Sequence, residues 1–511
     1  MTGGAAAPLR RRLTVDGVYL PQPSAAQVVV WQGDRIMWVG EDPSDAPPVD
    51  VAIRLPGAWV TPGFVDAHVH ATATGLTLDG IDLGAARSAD EVVTRLRDFV
   101  AVCDDDPVIG SGWDEHDWRV PQPPDAAALG AAAPGRRILF DRVDGHSCLV
   151  DPATLHDVVA QRADDGIDRD AQGAPTGWLR EAAAGRARAR IWRLLRGDRL
   201  DRARRTAAAH AAGLGITSLH EMGNPALSTL ADARAWASGS WPVEVLGWWA
   251  DIDATGALQH GLRPGGDLFL DGAIGSRTAA VTGGYRDGEA LGGLFHTDSQ
   301  VVDFFVRCTR ARIGGGVHAI GDAAIEQAVA ALERVAALAG VTAVRACRHR
   351  IEHVELPRAG HARRMAALGV VASVQPAFDA LWGGPHGLYA QRFGRTAALE
   401  SNPFDAFASA GCPLAFGSDS TVTPMAPWSG VVAAVEHRGG HGITPAQALA
   451  AATLGGRYVA HQDDVGPLVV GHRADLAVWD RDPFRAGEHD DPTCLLTVVE
   501  GRITHGSHQD S

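Results

Sequence analysis

The stretch TPGFVDAHVHAT, residues 61–72, ends an apolar run with two histidines one residue apart. In a strand, alternate side chains share a face, so His68 and His70 point one way and Val69 the other. Two imidazoles side by side suit the gripping of a metal ion. The plainer reading is a pair of surface histidines capping a strand, and the rest of the chain has to decide between the two.

Residues of the same kinds recur where other short apolar runs stop. Eight such runs are present: GFVDAHVH (63–70), GITSLHE (215–221), VEVLGWW (243–249), DLFLDG (267–272), GVHAIGD (316–322), HRIEH (349–353), VVASVQP (370–376) and LAFGSDS (414–420). Ala- and Arg-rich stretches of helical period lie between them, which is the pattern of βα units around a parallel sheet. Eight units predict an α/β fold, a TIM-like (β/α)8 barrel whose strand ends converge on the face that carries active sites. His68 and His70 end the first run, His220 ends the second, His318 lies in the fifth, His353 ends the sixth and Asp419 ends the eighth. Three imidazoles and a carboxylate meeting in a cleft match the nitrogen-and-oxygen ligands of catalytic zinc, with one position left open for water.

Other elements must hold that barrel. Residues 13–60 and the segment from GHRADLAVWDRDP to LLTVVEGRITHG both read as short strands broken by Gly, Pro and Asp turns. Neither end has enough strands for a stable sheet, so one small β-sandwich built from both termini is predicted. The expected division is residues 1–60 for the N-terminal part of the sandwich, 61–464 for the barrel, and 465–511 for the C-terminal part. The distance from the first run to the second exceeds one helix, so residues from about 80 to 205 are expected to form an inserted subdomain over the mouth.

Composition narrows the function. The 511 residues carry a net charge of -15, which excludes the dense basic surface that nucleic acid requires. No run approaches the roughly 20 apolar residues of a membrane span. The start lacks an apolar stretch after its arginines, so a cytoplasmic protein without a signal peptide is expected. The 6 cysteines are scattered, as reduced core thiols are. All 46 basic residues are arginine; the chain has no lysine. Its 14 tryptophans against 4 tyrosines, with Trp113 in the expected insertion, point to a pocket for an apolar or aromatic small molecule.

In this order VDAHVH, GVHAIGD, RIEHVEL and FGSDS resemble the amidohydrolase superfamily. DGAIGSRTA, DRVDGHS, GAPTGWLRE and the terminal GHRADLAVWDRDP resemble its YtcJ-like branch, which includes N-substituted formamide deformylase. The resemblance implies a metal-dependent hydrolase of non-peptide C–N bonds, acting on N-acyl or N-formyl compounds, and a homodimer. It places His68, His70, His318, His353 and Asp419 at metal-site positions. Relatives carry a lysine on the fourth strand whose carboxylated form bridges two metals. Here Asp267 stands at that position, and its shorter side chain favours one metal over two. Glu181 is the other acid considered as a bridge.

The expected mechanism uses one Zn²⁺ held by His68, His70, His318 and Asp419, although iron and manganese suit the same ligands. Asp419 is the general base. His353 orients the water or polarises the carbonyl, or ligates a second metal if two are bound. His146, His220, Asp271, Arg277 and Trp113 are expected substrate contacts. Two other readings remain open, a deaminase of a cyclic amidine or heterocycle and a ligand-binding barrel without catalysis.

Overall fold

The computed structural model describes residues 8–507 apart from 20–22, 117, 144, 146, 161–165, 226, 289–290 and 485–490, together with the side chains of all these but Pro23 and Glu181. The chain divides into two compact units, one of residues 1–70, 208–224 and 233–511, the other of residues 71–207 and 225–232. Among the described residues no helix is long and apolar enough to cross a membrane.

The larger unit contains two parallel four-stranded sheets. The first has the order β4-β3-β2-β1, with β1 Phe64–Val69, β2 Ile216–Gly223, β3 Glu244–Trp249 and β4 Arg263–Pro264. The second has the order β5-β6-β7-β8, with β5 Gly316–Ala319, β6 Arg350–His353, β7 Val371–Val374 and β8 Leu414–Phe416. Every residue of β1, β2, β5, β6 and β7 is buried, as expected of parallel strands covered on both faces. Helices follow the strands, the longest being Asp322–Ala339 after β5, with its buried Ile325, Val329, Leu332 and Val335 on one apolar stripe.

Backbone hydrogen bonds join the two sheets at both edges. At one seam the Gly266 N–H donates to the Gly316 carbonyl (3.0 Å), His318 N–H to Leu268 (2.9 Å) and Leu270 N–H to His318 (3.0 Å). This approach depends on glycine. Gly265 and Gly266 both have φ of +77°, and a Cβ at Gly265 would lie 1.9 Å from the Gly316 carbonyl oxygen. At the other seam the Asp419 N–H donates to the His68 carbonyl (2.7 Å) and the His70 N–H to Ser420 (2.9 Å). The Asp66 carboxylate locks this seam from behind: Oδ1 accepts from Ser418 N–H (2.9 Å) and Oδ2 from Ser418 Oγ (2.6 Å).

The two chain ends meet in β structure. Trp59–Pro62 pairs antiparallel with Leu476–Trp479 in a six-stranded sheet that also holds Gly17–Tyr19 and Cys494–Val499. A four-stranded sheet of Arg10–Thr14, Val28–Gln32, Arg35–Gly40 and Val51–Arg54 shares one buried cluster with it, including Leu13, Trp31, Val60, Leu476 and Val498. The smaller unit has its own six-stranded mixed sheet, from Ile81–Asp82 to Ile167–Arg169, and its own core around Trp113, Leu129 and Phe140.

Gly417 tests the seam that positions His68 and Asp419. A Cβ there would stand 2.5 Å from the His68 backbone nitrogen and 2.7 Å from its Cβ, atoms that cannot swing away. Gly417→Ala should therefore destabilise the protein by about 1–3 kcal/mol, the usual cost of overpacking. Urea denaturation measures it, and unchanged stability would mean that these strand ends part freely.

Candidate metal centre

The strand ends bring six side chains together. His68 and His70 leave β1 on the same side, with ring centroids 5.7 Å apart, while Val69 is buried in the opposite layer. His318 from β5 and His353 from the end of β6 face them, with centroids 4.4 Å apart. Asp419 follows β8, its Oδ1 3.4 Å from Nε2 of both His68 and His70. Asp267 lies in the middle. Its Oδ1 is 3.2 Å from His318 Nδ1 and 3.8 Å from His353 Nε2, and its Oδ2 is 3.6 Å from His70 Nε2. His353 and Asp419 take left-handed backbone conformations, with φ of +70° and +52°, which aim their side chains inward at a cost that non-glycine residues bear mostly at functional sites.

Asp267 lies close to His318 on one side and His70 on the other despite its short side chain. The reason lies in the backbone: the glycines at 265, 266 and 316 let the segment after β4 lie against β5, and the Asn224 amide donates to the Asp267 carbonyl (2.7 Å) to hold it there.

These groups are out of water, with His68 fully buried, His353 and Asp267 each 2% exposed and Asp419 6%. Burial alone would raise both carboxyls, but His318 and His353 hold Asp267 well below the usual range, and His68 and His70 do the same for Asp419. Burial would lower His68, yet Asp419 and Glu352 push it up to about 10. His70 and His318 are raised in the same way, by Asp419 and Asp267 respectively. His353 alone moves down, through burial and its neighbour His318. So concentrated a set of anionic oxygens and imidazoles in a dry site favours a cation.

Two observations show that a metal fits. Nε2 of His68 and Nε2 of His353 are buried without a hydrogen-bond partner. Among the described residues three ligand groups have donor atoms within 4.8 Å of one another: His68, His353 and Asp419; His68, His70 and Asp267; and Asp267, His318 and His353. Imidazole nitrogen with carboxylate oxygen is the donor set of zinc, and suits iron or manganese as well.

Two carboxyl or amide groups behind the histidines were not foreseen as site residues. Glu352 Oε2 lies 2.9 Å from His68 Nδ1, and Gln375 Oε1 lies 2.8 Å from His353 Nδ1. Each fixes a ring from its far side, as outer-sphere partners of metal ligands do. The available signal was alternation: Arg350 and Glu352, two residues apart in a strand, share one face and carry opposite charges.

The other expected contacts that the structure describes take partners within the protein. His220 is fully buried beneath the site, with Nδ1 3.0 Å from Arg350 Nη1, and has no surface to offer a substrate. Asp271 is also fully buried. Its oxygens accept from Ala280, Ile320 and Gly321 N–H, tying the following loop to the end of β5, with Oδ1 3.7 Å from His318 Nε2. Arg277 pairs with Asp287 (2.8 Å). Trp113 is corrected to a core residue of the smaller unit, where its indole N–H donates to the Phe140 carbonyl (2.9 Å). His146 lies outside the described residues. Glu181 opens the helix Glu181–Trp192, and its side chain is likewise outside them.

The amidohydrolase family matches residues 52–505 of this sequence. N-substituted formamide deformylase of Arthrobacter pascens is 27% identical over 534 residues, covering 94% of this chain and 95% of its own. YtcJ of Bacillus subtilis (strain 168) is 26% identical over 497 residues, covering 89% and 90%. A crystal structure of an uncharacterized metal-dependent hydrolase from Pyrococcus furiosus superimposes with a TM-score of 0.76 at 24% identity, over 93% of this chain and 100% of that one, so the fold is of the TIM-barrel type. With most of its length matched, the chain belongs to the amidohydrolase family.

Proposed function

We propose that this protein hydrolyses a non-peptide C–N bond, of amide or formamide type, in a small molecule with an apolar or aromatic substituent on nitrogen. The observation that carries this reading is the convergence of His68, His70, His318, His353, Asp267 and Asp419, with two imidazole nitrogens buried and unpartnered. The similarity to a formamide deformylase over nearly the whole chain supports the bond class. Aromatic rings against the site histidines support the apolar substituent: Phe269 meets the His318 ring edge-on at 4.7 Å, Phe378 stacks on His353 at 6.1 Å, and Trp382 packs on Phe378 at 4.9 Å. In the same reading the two parallel sheets form one (β/α)8 barrel with an inserted subdomain, and the two terminal sheets form a β-sandwich.

His68, His70 and Asp419 would hold one divalent cation, zinc by preference, and His318 and His353 a second, with Asp267 shared between them. An aspartate's length favours a single ion; the close approach of the backbone at Gly265 and Gly316 supports two instead. When bound, such an ion lowers the pKa of water from 15.7 to about 7 and polarises a carbonyl. The chain does the rest. Asp419 takes the proton of the attacking water and delivers it to the departing nitrogen. Gln375 and Glu352 hold His353 and His68 in the orientation that presents Nε2 to the site. Asp271 keeps the loop from Ala273 to Ala280 in place beside His318.

Three outcomes are expected. Chelation should abolish turnover of N-formyl and N-acyl amines and Zn²⁺ should restore it, with amine and carboxylate as products; release of ammonia from a cyclic amidine instead would establish the deaminase. Asp419→Asn should lower kcat by about 10²–10⁴-fold, the range for loss of a general base, in steady-state assays. Elemental analysis should find two equivalents of zinc per chain, reduced to one in Asp267→Asn. A single equivalent in both would remove Asp267 from the ligand set, and none in either would leave a ligand-binding barrel.

A further inference from the structure

Arg350 is fully buried in the interior of the parallel sheets. Its Nη2 donates to the Ala67 carbonyl on β1 (2.6 Å), to Glu352 Oε2 (2.6 Å) and to Ser373 Oγ on β7 (2.5 Å). Its Nη1 lies 3.0 Å from His220 Nδ1 on β2, and its guanidinium stands 4.9 Å from the Trp248 ring on β3. One side chain thus ties five strands together. Glu352 is equally buried, forms an ion pair with Arg350 Nε, and turns Oε2 toward His68 Nδ1.

We propose that Arg350 and Glu352 are positioning residues that set the cation affinity of the centre through His68. This rests on the reading above that the centre binds a divalent cation. A guanidinium has five donors and no acceptor, so an arginine packed against Glu352 keeps that group a carboxylate, which only accepts. His68 Nδ1 must then donate. With Nδ1 committed to Glu352, Nε2 is the nitrogen left to give its lone pair to an ion, and it faces Asp419 and Asp267, buried with no partner. The negative charge behind the ring also makes Nε2 a stronger donor to a cation. The opposite ring orientation would turn a proton toward the site and oppose any ion there. Glu352 touches neither the open side of the centre nor Asp419, so it acts on the ion only through the imidazole.

The test measures zinc affinity by competition with a chromophoric chelator on purified, metal-stripped protein. Glu352→Gln keeps the size of the side chain and removes its charge; it should bind zinc about 10–100-fold more weakly, the loss usual for such partners. Val371→Ala, a cavity in the same core, is the control: it should lower the thermal midpoint and leave affinity within about threefold of wild type. Wild-type affinity in Glu352→Gln overturns the proposal, as does an equal loss in Val371→Ala. Absence of zinc binding by the wild-type protein overturns the functional reading instead. Should Glu352→Gln fail to fold, ¹⁵N-histidine spectra of the zinc-loaded wild-type protein decide the matter, with the His68 signals identified by their loss in His68→Gln. A proton on Nδ1 with zinc on Nε2 is expected, and the reverse overturns the proposal.

Discussion

Ionisable groups removed from water must compensate one another, and the architecture of the larger unit follows from that constraint. Asp267, Asp419 and Glu352 are buried beside His68, His318, His353 and Arg350, in a volume where an unpaired charge costs several kcal/mol. Each carboxylate is drawn down by cationic or hydrogen-bonding neighbours that include at least one from another strand, His318 for Asp267 and His68 for Asp419 and Glu352. Pairing of charge across the interior and association of the strands are therefore one event. Removing either partner leaves the other stranded, which makes the centre a structural element as much as a chemical one.

The centre needs strand ends closer than ordinary side chains allow. Glycines supply that closeness at both seams, at 265, 266 and 316 on one side and at 417 on the other. Hydrogen bonds from Asp66 to Ser418 and from Asp419 to His68 then fix the distance. The histidines and the aspartates are thus held by backbone geometry before any ion is considered, which is the preorganisation that a tight and selective site requires.

Much of this was legible in the sequence, for reasons that can be stated. Alternation in GFVDAHVH put His68 and His70 on one face, and the rule that active groups sit at strand ends picked out His318, His353 and Asp419. Strand pairing of the two chain ends was readable from turn residues. Other features were hidden. Alternation tells which face a residue occupies but not its depth, so His220, inside the strand Ile216–Gly223 rather than at its end, was not recognisable as the buried partner of Arg350. Asp267 looked too short because its reach depends on three glycines and on His318, 51 residues away in sequence. Glu352 is a partner of His68 across 284 residues, and no local pattern records such a pairing. Trp113 showed its type but not its core, since a large aromatic ring serves a hydrophobic interior as well as a pocket.

The position of Asp267 carries a consequence for assembly. A bridge made from a carboxylated lysine borrows its carbon from dissolved carbon dioxide, and it is complete only when that gas is supplied and retained. This chain has no lysine to modify and puts a ready-made carboxylate between the histidines. Under the proposed function the ligand set would be finished when the polypeptide folds, and loading with metal would be indifferent to bicarbonate in the medium.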